Sequence, residues 1–297
     1  MLFPHQKEVY AELLATAGLF FGGTWKNCGI RPRFSRFLSG PTGSGKTHVV
    51  KNVAAELGAP ILVVSSTNWM PLGCSQKGAR PTWSDIASFC QCNERGIIFV
   101  DELDKFGGVG SSWMDHIRVE AFQLLDQIFP DTALASDDED DLSCETLDHS
   151  KIADRLLNNI LIVGAGAFQG IWNEKRAPHI GFGKKVEEGV SDISKSMMSR
   201  QIPAEITNRF AGPILVLRPL ALWDYQEMLQ EAASCLDHQT AKIFLRRGFA
   251  SLRDATSNQL GCRWIEELLL HSLLELERSK TKCLPHTLEA EVACIST

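Results

Sequence analysis

The residues predict an α/β protein in which a parallel sheet surrounds a phosphate-binding loop and a small helical domain follows. Three observations carry this. Gly40-Pro41-Thr42-Gly43-Ser44-Gly45-Lys46-Thr47 fits G-x-x-x-x-G-K-[ST], between a short strand and a helix. Apolar runs within 59–66, 97–102, 158–168 and 213–217 alternate with stretches of helical period, as buried parallel strands and their crossover helices do. After Pro219 the apolar spacing is helical only.

The 297 residues suffice for one large domain or two modest ones. The change at Pro219 divides them into a nucleotide-binding domain, about 1–218, and an α-helical lid domain, about 219–297. With 44% hydrophobic and 22% charged residues the composition is that of a soluble globular protein. A net charge of −6 gives no basic footprint and argues against direct nucleic-acid binding. No run approaches the roughly 18 apolar residues that a membrane span needs, and MLFPHQKEVY lacks the order of a signal peptide. Nine scattered cysteines, with Cys90-x-Cys92 at the wrong spacing for zinc, read as reduced and mostly buried small hydrophobes of a cytoplasmic protein.

Taken in order, Val9, Leu13, Leu14, Ala17 and Phe20 give residues 5–20 the apolar stripe of an amphipathic helix. The turn-rich segment 22–35 leads into the strand Arg36-Phe37-Leu38-Ser39. Beyond the phosphate loop, Val49, Val50, Val53, Ala54 and Leu57 recur at helical spacing. The run 59–66 reads as a buried strand, 84–89 as a helix, and 97–102 as a second buried strand ending on Asp101-Glu102. His116 to Phe129 is a further helix, with Ile117, Phe122, Leu125 and Ile128 on one side. Between 131 and 150 eight acidic residues occur before the first lysine, which reads as a solvated insertion or as a charged loop meeting a basic partner. Strands at 158–168 and 213–217 complete the sheet.

The chemistry of the loop explains its residue types and makes this a P-loop NTPase sheet. Gly43 and Gly45 let successive N–H groups point into one concavity, and the helix that begins at Lys46 adds its positive end. Lys46 is expected to reach the β- and γ-phosphates and the Thr47 hydroxyl to hold Mg²⁺. Asp101 would stand behind that metal, and Glu102 would polarise the attacking water.

The chain resembles the AAA+ ATPases, and within them the ClpX and HslU clade of protein unfoldases. GPTGSGKT at 40–47 is identical to that clade's phosphate loop. Glu94 to Lys105 is similar to its RGIIYIDEIDK, Ile160 to Phe168 to its ILFICGGAF, and Ile202 to Arg209 with Pro213-Ile214-Leu215 to its IPEFIGR-LPVV. The resemblance implies the AAA+ large domain and lid, ATP and Mg²⁺ as ligands, a ring oligomer of six subunits, and a protein substrate or partner. It implies that Arg209 is an arginine finger reaching the nucleotide of a neighbouring subunit. It implies that Arg263 is the sensor-2 arginine of the lid, although another alignment pairs Arg263 with a second arginine of the clade's motif. Ile180-Gly181-Phe182 matches the clade's loop for docking onto a peptidase, or is a glycine-hinged turn. Where the clade carries an aromatic pore loop this chain reads Met70 to Gly78, without a central aromatic, flanked by Trp69 and Trp83. ATP hydrolysis is therefore the implied activity, and threading of polypeptide is not. A nucleotide-gated switch, loader or scaffold, and a small-molecule kinase, are the other readings.

Overall fold

The computed structural model describes residues 1–72, 80–107, 112–134, 148–176 and 195–282. The pore-loop stretch after Leu72, most of the acidic insertion and Ile180-Gly181-Phe182 lie outside them. The chain divides into two compact units: one holds Leu2 and Pro4–Pro219, the other Met1, Phe3 and the residues from Leu220 onward.

In the first unit the described strands are β1 (Arg36–Ser39), β2 (Ile61–Ser65), β3 (Gly96–Asp101), β4 (Ile160–Gly166) and β5 (Leu215–Val216). They form one sheet in the order β2-β3-β4-β1-β5, and each pair is parallel. Alternate side chains point to opposite faces, and both faces are covered, so the central strands are apolar without interruption. Phe37, Ile98, Val100, Ile160 and Ile162 belong to one core, together with helices α3 (Thr82–Cys92), α4 (Ser112–Leu125) and α5 (His149–Asn158). Leu38, Ile97, Phe99, Leu161 and Val163 belong to the other, with α1 (Pro4–Gly22) and α2 (Lys46–Glu56).

Several elements differ from the sequence expectations. The strand expected to be buried at 59–66 is an edge strand among the described residues, and Val63 on it is 43% exposed. The helix expected to reach Phe129 ends at Leu125. Gln127 adopts φ 57°, its N–H bonds Leu124 O at 2.9 Å and that of Ile128 bonds Gln123 O at 2.8 Å, a helix-closing turn that leaves Ile128 outside and exposed. Helix α5 was hidden in the acidic stretch; Asp148 caps it by accepting from Lys151 N at 3.1 Å, and Ile152 and Leu156 anchor it. Of the five described cysteines, Cys28, Cys92 and Cys235 are exposed, so "mostly buried" does not describe them.

The remaining helices of this unit are short: α6 (Gln169–Arg176), α7 (Lys195–Met198) and α8 (Ala204–Thr207). The second unit is built on α9 (Leu222–Ser234), α10 (His238–Asn258) and α11 (Arg263–Lys282), around Tyr225, Met228, Leu229, Phe244, Trp264 and Leu268. A Cβ on Gly248 would lie 2.3 Å from Leu229, so glycine is what lets α9 and α10 approach. Asp237 caps α10 by accepting from Gln239 N at 3.0 Å and Thr240 N at 3.1 Å.

Candidate active site

Parallel strands deliver their following loops to one edge of a sheet, and there the sequence-predicted residues meet. The phosphate loop leaves the end of β1, which adjoins β4, and Gly40 N bonds Gly166 O at the end of β4. Gly43 and Gly45 take φ 81° and 90°, a region that L side chains rarely occupy, and Lys46 and Thr47 open α2 immediately afterwards. Pro41 and Ser44 are buried, while Thr42 is exposed. Lys46 is buried and lies back over the loop, its Nζ donating to Gly40 O at 2.7 Å and Pro41 O at 3.2 Å. Beneath the loop, the Ser44 carbonyl meets His5 Nε2 at 3.2 Å and accepts from Gln6 Nε2 at 3.1 Å, both from the first turn of α1.

Strand β3 brings the acidic pair to the same place. Thr47 Oγ1 donates to Asp101 Oδ2 at 3.0 Å, and Asp101 Oδ1 accepts from Glu102 N at 2.8 Å. A hydroxyl and a carboxylate side by side are hard oxygen donors of the kind Mg²⁺ takes beside a phosphate, so Thr47 and Asp101 fit the metal that the sequence implies. Glu102 has φ 60°, a left-handed conformation uncommon for a residue with a side chain. The turn brings it against the end of β2. Its Oε2 accepts from Ser65 Oγ and from Thr67 Oγ1, each at 2.7 Å, while Ser66 Oγ donates to its carbonyl at 2.6 Å. The hydroxyl bonds, Thr67's first and then Ser65's, hold the Glu102 carboxyl below its ordinary range, and Lys105 and Lys46 add smaller pulls.

The two arginines come from other elements. Arg209 follows α8, near the start of β1, where Ala211 N bonds Ser35 O at 2.7 Å. Arg263 is the exposed first residue of α11, in the second unit.

This constellation of loop, hydroxyl and acidic pair is the one expected of a nucleoside triphosphatase, and the family comparison narrows it. The model for the ATPase family associated with various cellular activities, AAA, matches residues 37–166. The match covers less than half of the 297 residues. The match runs from β1 to the end of β4 and so takes in the phosphate loop, Asp101 and Glu102. The chain is similar to the ATP-dependent zinc metalloprotease FtsH of Mycoplasmopsis synoviae (strain 53), 32% identical over 108 residues, 36% of this chain and 16% of that protein. It is similar to the ATP-dependent Clp protease ATP-binding subunit ClpX of Borrelia duttonii (strain Ly), 31% identical over 97 residues, 31% of this chain and 23% of the relative. A third relative is the chloroplastic ATP-dependent zinc metalloprotease FTSH 6 of Arabidopsis thaliana, 30% identical over 91 residues, 31% of this chain and 13% of the relative. The chain thus spans less than a quarter of the length of each of these curated relatives.

Sequence reasoning missed the residues that hold Glu102 and the phosphate loop from outside the motifs. Ser65 and Thr67 were visible as hydroxyls closing an apolar strand, but the left-handed turn that brings Glu102 to them was not. His5 and Gln6 sit 38 or 39 residues before Ser44, and no periodicity links them to it.

Proposed function

We propose that this chain hydrolyses ATP with Mg²⁺ and works as a ring oligomer, of six copies by resemblance, that remodels a protein partner. The observation that carries the reading is Glu102 placed one residue beyond the Asp101–Thr47 pair, at the edge of the sheet where the phosphate loop opens. In it, the loop N–H groups and Lys46 hold the β- and γ-phosphates, and Thr47 and Asp101 hold the metal, which would neutralise charge on the transferred phosphoryl group. Glu102 takes the proton of the attacking water. The test is ATP turnover by wild type and Glu102→Gln: the variant keeps nucleotide affinity and loses phosphate release, and equal rates would remove Glu102 from the reaction.

The position of Arg209 supports a shared site. It lies at the starting edge of β1 and the phosphate loop at the finishing edge, so about 13 Å of strand separates them. An arginine finger there would serve the nucleotide of another copy. Protein remodelling, rather than action on a small molecule, is favoured by the activities of the relatives, an ATP-dependent protease and the ATP-binding subunit of another. In the same reading Arg263 couples nucleotide state to the helical unit, Ile180-Gly181-Phe182 docks a peptidase, and the protein is cytoplasmic. Among the described residues no helix is long and apolar enough to cross a membrane.

One observation favours a second reading, a nucleotide-gated switch with little turnover. The Ser65 and Thr67 hydroxyls engage the carboxylate oxygen that a water would otherwise approach. Single-turnover kinetics separate the two: a slow chemical step with tight ATP binding supports the switch, and fast multiple turnover supports the remodelling ATPase.

A further inference from the structure

A cavity of about 210 Å³ lies beside Arg209, and Arg31 and Arg33 also line it. Three arginines therefore line one cavity with a single carboxylate, Asp126, in a chain whose net charge is −6. Asp126 is already engaged: Arg209 Nε donates to its Oδ2 at 2.9 Å. Arg31 Nη2 donates to Gln127 Oε1 at 2.8 Å and to Leu157 O, and its guanidinium lies over the Trp25 ring, 5.6 Å from the centroid. Arg33 Nη1 donates to Asn208 O at 2.5 Å, the carbonyl of the residue just before Arg209. Asn208 and Arg33 are both exposed, so solvent could serve that carbonyl without a cation. A carbonyl acceptor also occupies only one of the five donors of a guanidinium fork. Three cationic residues against one carboxylate leave a surplus of positive charge lining this cavity, which an anion would offset.

We propose that Arg33, from the connection preceding β1, is a second cation of the Arg209 face. It braces the Asn208–Arg209 peptide and turns its remaining N–H groups toward the same ligand, the triphosphate held by a second copy of this chain. Planar guanidinium forks match phosphate oxygens in pairs, and two forks from different segments can grip separate oxygens of one terminal phosphate. A second copy is the source because the cavity lies at the starting edges of β1 and β4, away from this chain's own phosphate loop. Arg33 contacts the backbone that carries Arg209 and is a positioning residue as well as a donor.

The inference rests on the shared-site reading above, and its test keeps the two apart. Arg33→Gln retains a donor for Asn208 O and removes the charge; Arg33→Ala removes both. Both variants are expected to lower kcat for ATP by at least about tenfold, with KM changed less than about twofold and, for Arg33→Gln, an unchanged melting temperature. Mixing Arg33→Gln with Glu102→Gln subunits should restore activity, since an interface can then combine an intact Arg33 with an intact Glu102. Mixing Arg33→Gln with Arg209→Ala should restore none, because both residues belong to the same face. Wild-type activity in Arg33→Gln would overturn the proposal, as would a loss that Glu102→Gln subunits do not rescue, the result expected if Arg33 served only its own fold or a free anion. If Arg209→Ala turns over ATP as fast as wild type, the shared-site reading fails by itself, whatever Arg33 does.

Discussion

Arg209 and Asp126 lie 83 residues apart in the chain and form an ion pair, Nε to Oδ2 at 2.9 Å. The same guanidinium donates through Nη1 to Glu205 O at 2.8 Å and lies 4.5 Å from the centroid of the Phe122 ring. Three constraints, from α4, the turn that follows it and α8, fix a planar group in one orientation, the pre-organisation a transition-state contact needs. Arg209→Ala is therefore expected to reduce kcat by about 10³-fold or more while ATP affinity holds. Arg209→Lys should not recover it, because one ammonium cannot reproduce the fork. Asp126→Ala, which frees the guanidinium without removing it, should cost less than Arg209→Ala in the same steady-state assay.

Glu102→Gln should retain ATP and release phosphate about 10²–10⁴-fold more slowly, since the general base is lost and the phosphate cradle is kept. Filter-binding of labelled ATP beside a phosphate-release assay reads both halves, and a parallel fall in affinity would mean that the substitution disturbs the loop.

Ser65 and Thr67 give the reaction a defined pH dependence. Their hydroxyl bonds hold the Glu102 carboxyl low, so the base stays ionised to lower pH than an ordinary glutamate. Ser65→Ala with Thr67→Val removes both donors, the Glu102 value rises, and the acidic limb of the kcat profile moves toward neutral pH. A profile through the carboxylate titration range that is identical in the two proteins would count against Glu102 as the titrating base.

Glu120 has a structural role that titration can expose. It is buried on α4, where its Oε2 accepts from Trp69 Nε1 at 2.8 Å and its Oε1 from Leu72 N at 2.6 Å. Burial pushes its carboxyl up, more than those two bonds and nearby His116 pull it down. The folded protein then holds the proton more tightly than the unfolded chain does. The stability tied to this group is complete below the ordinary glutamate value and lost as pH rises through the raised one. Glu120→Gln should flatten that dependence. Glu120→Ala should cost about 2–6 kcal/mol by leaving two donors without an acceptor. Urea unfolding at a series of pH values measures both effects.

The motifs were legible because their chemistry is local: eight consecutive residues make the phosphate loop, and Asp101-Glu102 closes an apolar run. The central strands were legible for a related reason, since burial on both faces leaves Ile97-Ile98-Phe99-Val100 no polar position. What was not legible depends on who sits next to whom. Nothing in Ile61–Ser65 says that β2 closes the edge of the sheet, which is a property of strand order. Helix α5 was masked by the acidic composition before it, although Asp148 carried its cap. Asp126 comes to Arg209, and Trp69 and Leu72 to Glu120, from segments tens of residues away, and only folding brings them together.

The parallel sheet also has a kinetic consequence. Because every strand runs the same way, whatever follows β1 and whatever precedes it are delivered to opposite rims. With the phosphate cradle on one rim and Arg209 on the other, the proposed shared site would leave a lone molecule with two unmatched halves of a catalytic centre. Its activity per milligram should then depend on its own concentration, falling on dilution as neighbours separate and returning when the solution is concentrated again.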